Sequence, residues 1–228
     1  RCPSMFAFRY LYRVPTAAVA SALTFGVTAH SAFETFTAER RRRAAAGEPA
    51  PTREDLQRWF EAAWKPEGFP DATAEANYRR RVGTMLDGFW QDELAETADV
   101  LHEELAFDLR LDPGDGSPAI RIGGKIDRVD RLPSGGIDVI DYKTGKSSSQ
   151  KDIEENLQLS LYALAARDAL GLGTPEHVTL YFTEEQTRKR TSRTDEQLDA
   201  AREELIARAT TIRSGDFHAT PSERTCGY

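Results

Sequence analysis

At Val100 the hydrophobic pattern of this chain changes period, and that change constrains the fold more than any other feature. Before it, apolar residues recur at helical spacing: Phe25, Ala29, Ala32, Phe33 and Phe36 mark one face of a helix expected over residues 24–46. After it, residues 100–111, 120–132 and 136–142 alternate as strands do. The turn clusters Pro113-Gly114-Asp115-Gly116 and Pro133-Ser134-Gly135-Gly136 separate them, so an antiparallel meander of three strands is the simplest reading.

The same rules place the other elements. An aromatic, basic helix is expected over residues 3–14, stopped by Pro15, and Gly47-Glu48-Pro49-Ala50-Pro51 reads as a linker. Thr52 with Asp55 three positions on is a variant capping box for a helix that ends before Pro66, and residues 74–97 suit a fourth helix. Beyond the meander come one Leu- and Ala-rich helix over residues 152–170, stopped by Gly171 and Gly173, then strands at 178–182 and about 187–192, and a last helix at 195–212. The expectation is a single α+β domain: a helical lead-in over residues 1–98, then a core over 99–228 with a mixed central sheet.

Charge narrows the function. The net charge is −7, with the first 47 residues basic and residues 48–118 strongly acidic, which opposes a generic nucleic-acid coat. Local phosphate contacts from the runs at residues 40–43, 79–81 and 188–190 are compatible with it; the alternative for each run is a solvated face. No apolar run approaches the roughly 20 residues of a membrane span. The chain opens without Met at Arg1-Cys2-Pro3, so it is expected to be a piece of a longer protein. Its two cysteines lie too far apart in sequence for a disulfide framework, which favours a reducing cytoplasm.

The third strand, Ile137-Asp138-Val139-Ile140-Asp141-Tyr142-Lys143, places Asp141 and Lys143 on one face about 7 Å apart. Asp127, in Gly124-Lys125-Ile126-Asp127, lies across the hairpin from Asp141 if the turn registers that way, and the first strand adds Glu104. Carboxylates so gathered repel one another unless a cation sits between them, and hard oxygen ligands favour Mg²⁺. Such an ion polarises a phosphodiester and activates water, while a neighbouring lysine stabilises developing negative charge. An Asp-x-Lys alone is also what a half-exposed strand looks like; the joint pattern with Glu104, Asp127, Gln158 and Tyr162 carries the weight.

Gly124-Lys125-Ile126-Asp127-Arg128-Val129-Asp130, Asp141-Tyr142-Lys143-Thr144-Gly145, Gln158-Leu159-Ser160-Leu161-Tyr162 and Gly26-Val27-Thr28-Ala29-His30 together resemble the nuclease domain of the PD-(D/E)xK superfamily. Within it, they resemble the RecB-like and AddB-like branch attached to bacterial DNA helicases. The resemblance spans essentially the whole chain and implies a restriction-endonuclease-like αβββαβ core. It implies that His30, Asp127 and Asp141 bind Mg²⁺ or Mn²⁺, that Lys143 is catalytic, and that Glu104, beside Glu103, fills the first acidic position. Gln158 and Tyr162, one helical turn apart, either orient the lysine strand or touch DNA, or are a satisfied amide and a packed aromatic. His30 packed beside Phe33 is the bland alternative to a ligand.

Cys2-Pro3-x-x-Phe6-x-Phe8-x-Tyr10 and the approach to Cys226 resemble the iron–sulfur variety of these nucleases, whose [4Fe–4S] cluster takes four cysteines. Only two are present, so the ends are expected to be frayed and cluster-free. The activity implied is deoxyribonuclease, exonuclease-type, on single-stranded DNA ends fed by a superfamily 1 helicase in break repair and recombination. No Walker A motif occurs in this chain, so the motor would lie elsewhere. The other readings are a silent nuclease-like module that only binds or scans DNA, and a CRISPR-associated nuclease of similar fold.

Overall fold

The computed structural model describes residues 2–14, 21–95 and 99–221. Helix α1 (Pro3–Phe6) continues as one π-helical turn, Ala7–Leu11, shorter than the helix to Val14 that the sequence suggests. Helices α2 (Ser21–Ala46), α3 (Arg53–Ala63) and α4 (Ala72–Ala95) follow, with the Thr52–Asp55 capping box formed as expected. Thr97, where the fourth helix was expected to end, lies outside the described residues.

Strands β1 (Asp99–Leu111), β2 (Ile120–Arg131) and β3 (Ile137–Lys143) make the antiparallel meander. Strand β4 (His177–Phe182) then adds parallel to β3, and β5 (Thr187–Thr191) closes the sheet in the order β1-β2-β3-β4-β5. This is the mixed sheet and the αβββαβ order expected. A parallel neighbour requires a crossover, and the chain between β3 and β4 supplies it with helices.

That crossover departs from the single helix expected over residues 152–170. It is split into α5 (Gln150–Glu154) and α6 (Leu157–Leu164), the latter running into a π turn at Ala165–Ala169. Asn156 caps the second piece by accepting the Leu159 N–H on its side chain. Arg193, far away in sequence, braces the break. Its buried guanidinium donates to the carbonyls of Ile153 and Asn156 at 3.2 and 3.3 Å and to the Ser160 hydroxyl at 2.8 Å. It thereby adds a charged donor to carbonyls that also accept the N–H groups of Asn156 and Ser160. Burial holds the Arg193 pKa below its usual value. Arg193→Ala should therefore lower unfolding free energy by roughly 2–3 kcal/mol, read from the urea midpoint; a change under about 0.5 kcal/mol would show that the backbone donors already on these carbonyls suffice.

Two apolar layers flank the sheet. On one face Val129, Val139 and Leu180 pack beneath Leu159, Ala163 and Leu198, the last from α7 (Asp195–Ser214). On the other, Ile140, Tyr142 and Tyr181 meet Phe33, Phe36 and Phe89 from α2 and α4. The central strand β3 is consequently buried on both sides, which is why its two aspartates are expensive and informative positions.

The expectation of frayed ends is overturned at the described residues. The Ser4 hydroxyl donates to the Phe217 carbonyl at 2.5 Å, Phe6 stacks on Phe217 with centroids 6.0 Å apart, and the Thr220 N–H donates to Cys2 Sγ at 3.3 Å. Apolar surface of α1 and of the C-terminal segment is what holds them together. Cys226 lies outside the described residues. Among the described residues no helix is long and apolar enough to cross a membrane.

Candidate active site

The site forms where the β2–β3 ladder ends. Arg128 pairs with Ile140 and Val129 with Val139, so one step further along Asp127 and Asp141 stand level, as the sequence reading required. There the ladder gives way to a side chain: the Asp127 carboxylate accepts the Tyr142 N–H at 2.7 Å. On the other side, β1 sets Glu103 opposite Arg128 and Leu105 opposite Ile126, which brackets Glu104 at the level of Asp127. Glu104 takes a φ of 47°, in the left-handed region a glutamate rarely adopts. A register shift between Val100 and His102 precedes it, and the two together decide between the neighbouring glutamates. Glu104 faces Asp127 and accepts from Lys125 at 3.1 Å. Glu103 is turned away to pair with Arg41 at 3.3 Å.

Helix α2 brings His30. Its Nε2–H donates to the Tyr142 carbonyl at 2.9 Å, and its Nδ1 lies 3.4 Å from Asp127 Oδ2. A carbonyl only accepts, so in the neutral ring the lone pair sits on Nδ1, facing the carboxylates. A backbone carbonyl orienting a ligand imidazole in this way is a common supporting arrangement at metal sites. Burial pulls the His30 pKa down, but the Asp127 hydrogen bond and the charges of Asp127 and Asp141 outweigh it and leave the pKa raised.

Asp141 is almost wholly buried. Burial raises its pKa against the pull of Lys143, with the Asp127 charge adding to the rise. Lys143 Nζ lies 2.5 Å from its Oδ2, while Oδ1 accepts from the Tyr162 hydroxyl at 3.0 Å and the Gln158 amide at 3.2 Å. The Gln158 carbonyl oxygen takes a hydrogen bond from Lys143 Nζ at 3.2 Å. Both residues of α6 therefore hold the Asp141–Lys143 pair in place rather than serving only to fill the core. Tyr162 is steadied in turn by Phe107, edge-on with centroids 6.2 Å apart. Phe107 lies over Gly124, where a Cβ would come within 2.7 Å of the ring. Gly124 thus matters to the site through that ring.

Could these residues hold a cation? Among the described residues, His30, Glu104 and Asp127 each offer a ligand atom, all within 4.8 Å of one another. Mixed nitrogen and oxygen donors at such spacing suit a divalent ion with bonds of about 2.1 Å. A histidine whose pKa is raised by two carboxylates also marks a place short of positive charge. The residues fit. The grouping differs from the expected His30, Asp127 and Asp141: Glu104 joins the first two, and Asp141 is engaged by Lys143.

Most arginines of the basic runs are engaged by carboxylates. Arg40 pairs with Glu93, Arg43 with Glu39 and Asp55, Arg79 with Glu61, Arg81 with Glu184, and Arg190 with Asp138. Glu34, one turn beyond His30 on α2, lines the groove beside Asp127 and escaped the sequence reading; its spacing from His30 was the available signal.

A family model described as the PD-(D/E)XK nuclease superfamily matches residues 1–228. Among proteins of curated function, none matches this sequence. A crystal structure of a candidate exonuclease from Eubacterium rectale is similar in fold, with a TM-score of 0.54 and 16% identity over 98% of this chain and 78% of that one. A solved chain named SSO0001 aligns with a TM-score of 0.36 and 14% identity, over 92% of this chain and 84% of that one.

Proposed function

The chain belongs to the PD-(D/E)XK nuclease superfamily, and from that premise we propose that it is a Mg²⁺- or Mn²⁺-dependent deoxyribonuclease of the RecB- and AddB-like branch. It acts exonucleolytically on single-stranded DNA ends delivered by a superfamily 1 helicase, in break repair and recombination. The observation that carries the chemistry is the convergence of His30, Glu104 and Asp127 beside the Asp141–Lys143 pair. The branch, the motor and the pathway are carried by the sequence motifs around His30, Asp127, Lys143 and Tyr162.

His30 Nδ1, Glu104 and Asp127 would hold the cation, with Asp141 beside them engaged by Lys143. When bound, the ion polarises the phosphodiester and makes a water more acidic. The Lys143 ammonium lies where it can steady negative charge growing on the phosphoryl oxygens. Gln158 and Tyr162 fix Asp141, and with it the lysine, so the reacting groups need little rearrangement. Water oxygen would bond to phosphorus while giving a proton to the surrounding water, the P–O bond to the leaving sugar oxygen would break with its electron pair going to that oxygen, and that oxygen would take up a proton from water.

A [4Fe–4S] cluster belongs to the same proposal, with Cys2 and Cys226 as two of its four thiolates. Cys2 is suited to ligation: backbone N–H groups of Thr220 and Met5 lower its pKa to about 7. The chain's own set is half of what a cluster takes, and no catalytic step depends on it.

The test is hydrolysis of end-labelled single- and double-stranded DNA with Mg²⁺, Mn²⁺ or EDTA. Metal-dependent release of nucleotides from single-stranded ends is expected. DNA binding without cleavage under every metal condition would leave the binding-only module as the better reading.

A further inference from the structure

The groove that holds His30, Glu104 and Asp127 is two-sided. It is open, about 430 Å³ in volume, and one wall is a stripe of α2 running Leu23, Gly26, Val27, His30 and Glu34. At one end stand the acidic groups and the imidazole. At the other, Leu23 and Val27 are 56% and 57% exposed, large aliphatic side chains presented to solvent one helical turn apart. Gly26 lies between them, with the Thr144 hydroxyl, just past Lys143, 3.4 Å from where its Cβ would be.

We propose that Leu23 and Val27 form a shelf for the face of one unpaired nucleobase, next to the phosphate held at the His30 end, and so select single-stranded over duplex DNA. This rests on the deoxyribonuclease reading and deepens it. Val27 and Leu23 sit about 4.5 and 10.5 Å before His30 along the helix axis, the reach of a single nucleoside. The groove joins two chemistries that one nucleotide also joins: an anionic phosphate needing a cation, and an apolar ring face needing cover. A base inside a duplex is stacked and offers only its edge, whereas an unpaired base offers its whole face.

The experiment uses the whole chain and its Leu23→Ala/Val27→Ala variant, both side chains being exposed enough to lose without unfolding it. Binding of fluorescent oligo(dT) is measured by anisotropy in Ca²⁺, beside an abasic oligomer of equal length. Turnover of oligo(dT) and of methyl p-nitrophenyl phosphate, a diester without a base, is measured in Mg²⁺. The expected result is a roughly tenfold rise in Kd and KM for oligo(dT), with kcat, abasic binding and diester turnover unchanged. Unchanged Kd for oligo(dT), or an equal loss for the abasic oligomer or the diester, overturns the shelf. A wild-type chain that hydrolyses nothing yet shows the tenfold difference in Kd refutes the nuclease reading and leaves the shelf standing.

Discussion

Lys143→Ala is expected to fold as the parent protein does and to hydrolyse DNA roughly 10³-fold more slowly. Its ammonium touches the Asp141 carboxylate and the Gln158 amide oxygen, both polar groups at the rim of the core, and carries no apolar packing of its own. On the proposed reading, what disappears is a charge that steadies the developing phosphoryl negative charge, an effect typically worth 10²–10³ in kcat. Asp127→Ala and Asp141→Ala should fall as far. Asp127→Ala should in addition weaken Mn²⁺ binding, measured by calorimetry, because its carboxylate is one of the two that converge with His30 Nδ1. A Lys143→Ala protein within tenfold of the parent rate, with an unchanged melting curve, would remove the lysine from the chemistry.

The second large effect is on stability. Arg128, beside Asp127 on β2 and 1% exposed, is bound on two sides: its Nε donates to Asp130 at 2.6 Å, and another of its nitrogens donates to Glu93 of α4. Glu93 accepts Arg40 from α2 through its other oxygen at 2.9 Å. These four charged groups tie α2, α4 and β2 together behind the site, all but the partly exposed Arg40 out of reach of water. Removing one partner strands a buried guanidinium, so Glu93→Ala should cost about 3–5 kcal/mol in unfolding free energy. Exchanging Glu93 and Arg128 together for Leu and Met should recover much of that loss, since well-packed apolar groups often replace a buried pair without penalty. Equal loss in the single and double variants, measured by urea denaturation, would show that volume rather than charge is what counts there.

The strands were legible because alternation is a local property: each run carries its own period and ends in Gly- and Pro-rich turns. The same locality placed Asp127 level with Asp141, since the turn between β2 and β3 is short enough to leave little choice of register. Three features were beyond the reach of local pattern. The break between α5 and α6 is braced by Arg193, which reaches across from the segment before α7. The choice of Glu104 over Glu103 depends on a register shift and a left-handed residue inside β1, and strict alternation passes over both. The ion pairs of the arginine runs were out of reach where their carboxylate partners come from distant segments, as Arg81 finds Glu184 and Arg40 finds Glu93. The residue types of the candidate site were readable, whereas the brace that Gln158 and Tyr162 form around Asp141 and Lys143 became specific only with coordinates.

The seam between α1 and the segment around Phe217 has a consequence for the protein as an object to be rewired. Residues near both ends of the chain meet there, through Ser4 with Phe217 and Cys2 with Thr220. Segments that meet in this way, α1 and residues 217–220, could be joined by a short linker and new ends opened elsewhere. The exposed β1–β2 turn at Asp115 and Gly116, on the far side of a long hairpin from Asp127, offers a place to open it. In such a permuted chain the helices bearing His30 and Gln158 keep their neighbours, and the order in which they are synthesised becomes a free design variable.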